Sequence, residues 1–70
     1  MTDLKNIIAQ NIKARRDATG LKQEAFAAEV GATQKSLSHY EKARCLPTID
    51  RLISIARYTG VTVDWLLQEH

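Results

Sequence analysis

Seventy residues, 44% of them apolar, with a net charge of +2, are enough for one small globular domain (residues 1–70) and too rich in apolar residues for a disordered tail. No apolar run approaches the ~20 residues of a membrane helix, and MTDLKNIIAQNIK carries too many polar residues for a secretory signal. The lone Cys45 cannot close an internal disulfide and points to a reducing, cytoplasmic compartment, while two scattered histidines give no metal-ligand spacing with it.

In chain order, the first periodic segment carries Leu4, Ile8 and Ile12 at every fourth position, with Ile7 widening the stripe. It predicts a helix over 3–19, capped by Thr2 and stopped at Gly20. A second helix is expected over 23–30, stopped at Gly31, and a third over 34–42 behind Thr33. Pro47 and Thr48 then open a fourth, over 49–59, whose inner stripe is Ile49, Leu52, Ile53 and Ala56, with Gly60 after it. A fifth, over 63–68, starts at Thr62, with Val61 and Leu66 spaced as a hydrophobic staple and Trp65 as core. No stretch alternates with period two, so the expectation is an all-α, compact five-helix bundle.

Seven bases against four acids lie between Lys13 and Arg44, whereas the segments before and after carry no positive excess. A basic middle suits a polyanion. On a wheel at about 100° per residue, Phe26, Ala27 and Val30 share one side of the second helix, and Leu37 and Tyr40 turn inward from the third. Gln34, Lys35, Ser38, His39 and Lys42 then share an outward arc about 140° wide with no apolar residue in it.

A steep two-helix turn needs a small residue at its crossing and a positive φ at its bend. Counted from Gln23, Ala27 is fifth and Gly31 ninth, with Phe26, Val30, Leu37 and Tyr40 at the apolar positions of a helix-turn-helix over 23–42. With Ile12, Arg16, Gly20-Leu21, Thr33-Gln34, Ser38-x-Tyr40-Glu41, Pro47, Leu52, Ala56, Gly60-Val61 and Val63-Asp64-Trp65-Leu66-Leu67, the chain resembles the Cro/cI-type (XRE) helix-turn-helix family of phage and bacterial DNA-binding repressors across roughly residues 4–68.

The resemblance implies a lambda repressor-like domain that places its third helix in the major groove of double-stranded DNA. Gln34, Lys35, Ser38 and His39 would read base edges, where Gln suits adenine and Lys suits guanine. Lys22, Gln23, Lys42 and Arg44 would hold phosphates, Gln23 also bracing the first residue of the recognition helix. Arg16 and Glu41 would pair internally, and Ala27 and Gly31 would shape the turn. A homodimer on a pseudo-palindromic operator, acting by occupancy, is expected, with no cofactor, metal, membrane or catalytic residue. An antitoxin or co-regulator that chiefly binds a protein partner is the alternative.

Three residues depart from the family pattern. Ala43 stands where Gly is usual, at about 1–2 kcal/mol for a left-handed turn. Arg15 replaces a core Leu and is expected to pack its stem and lead its charge to water. Cys45 is expected to be a passive exposed thiol. Ser36 and His39, three apart, have no nucleophile elbow or oxyanion loop around them, which argues against an enzyme.

Overall fold

A computed structural model describes residues 3–70, and the described residues are helical with no strand: α1 Leu4–Thr19, α2 Gln23–Glu29, α3 Gln34–Glu41, α4 Ile49–Thr59 and α5 Val63–Leu66. Each helix stops within two residues of the expected end. Thr33, Thr48 and Thr62 cap α3, α4 and α5, each hydroxyl accepting from the backbone N–H three residues on. The cap expected at Thr2 lies outside the described residues; Asp3 caps α1, its Oδ1 accepting from the Asn6 N–H at 3.0 Å.

Ile8, Ile12, Phe26, Ala27, Val30, Leu37, Leu52, Ile55, Ala56 and Leu66 form one core, with Tyr40, Val61 and Trp65 packed at its edge. Four residues expected there are not in it: Ile7 and Ile53 are only half-buried, and Leu4 and Ile49 are exposed. Leu4 is 47% exposed because all of residues 3–6 face solvent. Ile49 is 64% exposed because α4 buries Leu52, Ile55, Ala56 and Thr59, a face rotated from the expected stripe.

Polar side chains tie helix ends together. Asn11 is buried on the core side of α1, and its Nδ2 donates to the Leu66 and Gln68 carbonyls at 2.9 and 2.7 Å, closing the end of α5. Arg15, half-buried, does more than pack its stem. Its Nη2 donates to the Thr59 carbonyl at 2.8 Å, at the end of α4, and its Cζ lies 5.6 Å from the Trp65 ring centroid. Trp65 is half-buried, with the His70 ring stacked on it at 3.9 Å. Arg51 Nη1 donates to the Val30 carbonyl at 2.6 Å, closing α2.

Two turns set the placement of α3. Residues 30–33 join it to α2, with Gly31 at φ 74 and the Ala32 N–H donating to the Ala27 carbonyl at 2.8 Å. A Cβ on Gly31 would stand 3.0 Å from Arg51 Nη1. Past α3, Ala43 takes φ 59, and the Ala43 and Arg44 N–H groups donate to Tyr40 and His39 carbonyls at 3.2 and 2.9 Å. The left-handed stop expected of Gly is thus made by alanine, with its steric penalty.

Ala43→Gly is therefore expected to stabilise the fold by roughly 1 kcal/mol, the relieved strain being partly offset by the added freedom of the unfolded chain. Gly31→Ala is expected to destabilise it by about 1–2 kcal/mol, since the added Cβ meets both the wrong φ and Arg51. Urea midpoints of the two variants should move in opposite directions.

Candidate nucleic-acid interface

α3 packs against α1 on one side and α2 on the other, which leaves a single long edge facing solvent. Leu37 anchors it from beneath, fully buried, and Tyr40 rests on the core margin. The helical period then carries Gln34, Lys35, Ser38, His39 and Lys42 to the opposite edge. They line one open groove together with Gln23 from the start of α2 and Arg44 from the loop after α3.

Sequence reasoning had named every residue of that groove. Of the eight residues expected to touch DNA, only Lys22 lies elsewhere. It lines a separate, mainly apolar hollow with Gly20, Leu21, Glu24, Ala25 and Ala28.

Behind the groove, a polar junction links α1, α3 and the start of α2. Arg16 of α1 donates from Nε to Glu41 Oε2 at 2.6 Å and from Nη2 to Glu41 Oε1 at 3.0 Å, a two-point pairing with the carboxylate of α3. Arg16 Nη1 also donates to the Leu21 carbonyl at 3.1 Å, in the connection to α2. The Arg16 and Glu41 side chains keep only 14% and 4% of their exposure. The hydrogen bond to Glu41 holds the guanidinium pKa above its ordinary range, against the opposing effect of burial. That range is already above working pH, so Arg16 stays charged throughout.

Gln23 joins this junction. Its Nε2 donates to Glu41 Oε1 at 3.0 Å, so the carboxamide is braced by the last residue of α3 and not, as expected, by the first. Proximity explains the difference: Glu41 offers a fixed anionic acceptor, and a charge-assisted bond outcompetes a neutral one. This link, like the Asn11 and Arg51 contacts, escaped sequence reasoning. Asn11 had left a signal, a polar residue on the apolar face of α1 beside Ile8 and Ile12.

Among the described residues, the side chains of Gln34, Lys35, Ser38, His39, Lys42 and Arg44 enter none of the hydrogen bonds that hold this region together. Ser36 differs: its Oγ accepts from Thr33 Oγ1 at 3.0 Å and it does not line the groove, so Ser36 and His39 are not brought together there. Apart from Gln23, the groove is a row of unengaged donors and acceptors on a packed frame. It carries three fixed cations and no carboxylate.

The profile of the helix-turn-helix family (HTH_3) matches residues 12–66. The chain belongs to the helix-turn-helix family. It is 33% identical to the HTH-type transcriptional regulator y4dJ of Sinorhizobium fredii, over 86% of this chain and 78% of that one. It is 33% identical to the HTH-type transcriptional regulator YobD of Bacillus subtilis, over 83% of this chain. The chain spans 52% of the length of YobD, and 57% of a transcriptional regulator in the ATPase CF(0) region of Rhodospirillum rubrum. Its backbone superposes with a TM-score of 0.85 on the P22 c2 repressor, solved in complex with the synthetic operator 9T. That match is 25% identical and covers 99% of this chain and 100% of the repressor chain. The five-helix, repressor-like fold expected for this helix-turn-helix protein is the one observed.

Removing one member of the junction leaves an uncompensated buried charge. Glu41→Ala is expected to cost about 3 kcal/mol, the low end for a buried pair because Arg16 keeps some solvent. A urea denaturation curve with an unchanged slope and a midpoint near wild type would contradict this.

Proposed function

We propose that this chain is a sequence-specific regulator of transcription that binds double-stranded DNA, represses by occupying its operator, and inserts α3 into the major groove. The observation that carries this reading is the groove itself: neutral and cationic hydrogen-bonding groups of mixed kind, unengaged within the protein, aligned along one helix edge. Membership of the helix-turn-helix family and the likeness to a repressor solved on an operator support it.

In this reading Gln34, Lys35, Ser38 and His39 meet base edges. Gln34 can pair with adenine N6 and N7, and Lys35 can donate to guanine O6 or N7. Lys42 and Arg44, past the end of the row, meet phosphates, as does the second Nε2 hydrogen of Gln23. Lys22 faces a separate hollow, so its share is a phosphate outside the groove.

One recognition helix reads only a few base pairs. We therefore propose a homodimer on a pseudo-palindrome with half-sites about 34 Å apart. Its contact would lie around α4 and α5, where Ile49, Tyr58 and Leu67 expose apolar surface.

Selection of bound duplexes from a random pool is expected to recover a palindrome bound at least about a thousandfold tighter than mixed DNA. Failure to enrich any sequence would overturn the reading and turn attention to a protein partner. With that duplex, Gln34→Ala is expected to cost roughly 1–3 kcal/mol and relax preference at one base position. Lys42→Ala is expected to weaken all sequences alike and to lower the salt slope by about one.

A further inference from the structure

We propose that DNA binding draws a proton onto His39, so that affinity rises as the pH falls through the histidine range; the inference rests on the DNA-binding reading above. His39 stands half-buried in the groove, its ring outside the hydrogen bonds of the protein frame. Lys35 lies one turn before it on α3, Lys42 one turn after, and Arg44 beyond the helix end; all three line the same groove. Its remaining neighbours there, Gln23, Gln34 and Ser38, are neutral.

No carboxylate opposes these cations within the groove. On α3 itself, Glu41 is engaged by Arg16 and Gln23, about 200° around the helix from His39. From α2, Glu24 lines the separate apolar hollow and Glu29 does not line the groove. From α1, Arg16 pairs with Glu41 and lies 4.0 Å from Asp17, and no α1 residue lines the groove. Tyr40 turns to the core margin.

In the free protein, the only charged groups that line the groove with His39 are cations. A DNA backbone laid along the groove brings phosphates and reverses the sign of the local field. The protonated ring presents two N–H donors and no acceptor, which matches phosphate oxygens and the acceptors of guanine. Because the affinity of the protonated protein then exceeds that of the neutral one, binding is linked to proton uptake. A difference of about one pKa unit between free and bound states limits the gain to about tenfold.

The test uses the whole chain and a labelled duplex carrying the selected sequence, titrated at constant salt. For the wild type, the dissociation constant is expected to fall about three- to tenfold between pH 8 and pH 6. His39→Gln is expected to bind with a ratio near one over the same range. His70→Gln, whose ring stacks on Trp65 and does not line the groove, is expected to keep the wild-type ratio.

The ring signals of His39 in the wild type, followed by NMR with and without duplex, give a second readout; their titration midpoint should move to higher pH in the complex. A flat wild-type profile, a ratio retained by His39→Gln, or a midpoint that does not rise overturns the proposal while leaving DNA binding intact. No binding at any pH overturns the DNA reading and this inference with it.

Discussion

The ion pair between Arg16 and Glu41 is the constraint on which the rest of the structure depends. It joins α1 to the last residue of α3, and through Gln23 and the Leu21 carbonyl it reaches the start of α2. Apolar packing alone is non-directional: Leu37 and Phe26 hold α3 and α2 to the core without fixing how far each is turned. A two-point guanidinium–carboxylate bond is directional, and buried it tolerates little displacement before a charge is left without a partner. The edge that α3 shows to solvent is fixed from behind by groups that never reach that edge.

The same logic recurs at the helix ends. Short helices leave their last carbonyls without internal partners, and in a molecule this small many of those carbonyls are turned away from water. Arg51 closes α2 at Val30, Arg15 closes α4 at Thr59, and Asn11 closes α5 at Leu66 and Gln68. In each case the donor comes from another helix, so satisfying a helix end also docks two helices. α1 and α3 differ, α1 stopping on its own chain at a left-handed Gly20 and α3 having no donor from another helix at its end. α3 ends on its own backbone, through a left-handed Ala43. That leaves Lys42 and Arg44, on either side of this turn, free of capping duties and available at the mouth of the groove.

The division of labour between the two sides of α3 follows. Polar groups behind it are engaged and nearly dry, whereas those in front are unengaged and wet. A backbone already ordered by the frame loses less entropy on meeting a ligand than a loop would.

Much of this was legible in the chain itself. Period and punctuation placed five helices, because glycine stops and threonine caps act over three or four residues and need no knowledge of the fold. The groove residues were legible for the same reason: once Leu37 and Tyr40 are turned inward, the helical period alone decides what faces out. The Arg16–Glu41 pair came from family resemblance and is present. Other contacts were decided only by the tertiary structure. Gln23 chose Glu41, 18 residues away, over its expected neighbour in the groove; Arg15 chose a carbonyl 44 residues on; Asn11 chose carbonyls 55 and 57 residues on. The exposure of Leu4 and Ile49 belongs with these, since an apolar stripe states which face can be buried but not how far a neighbour extends to cover it. Local pattern sets what a residue can do; which partner it finds depends on distances that exist only after the helices have packed.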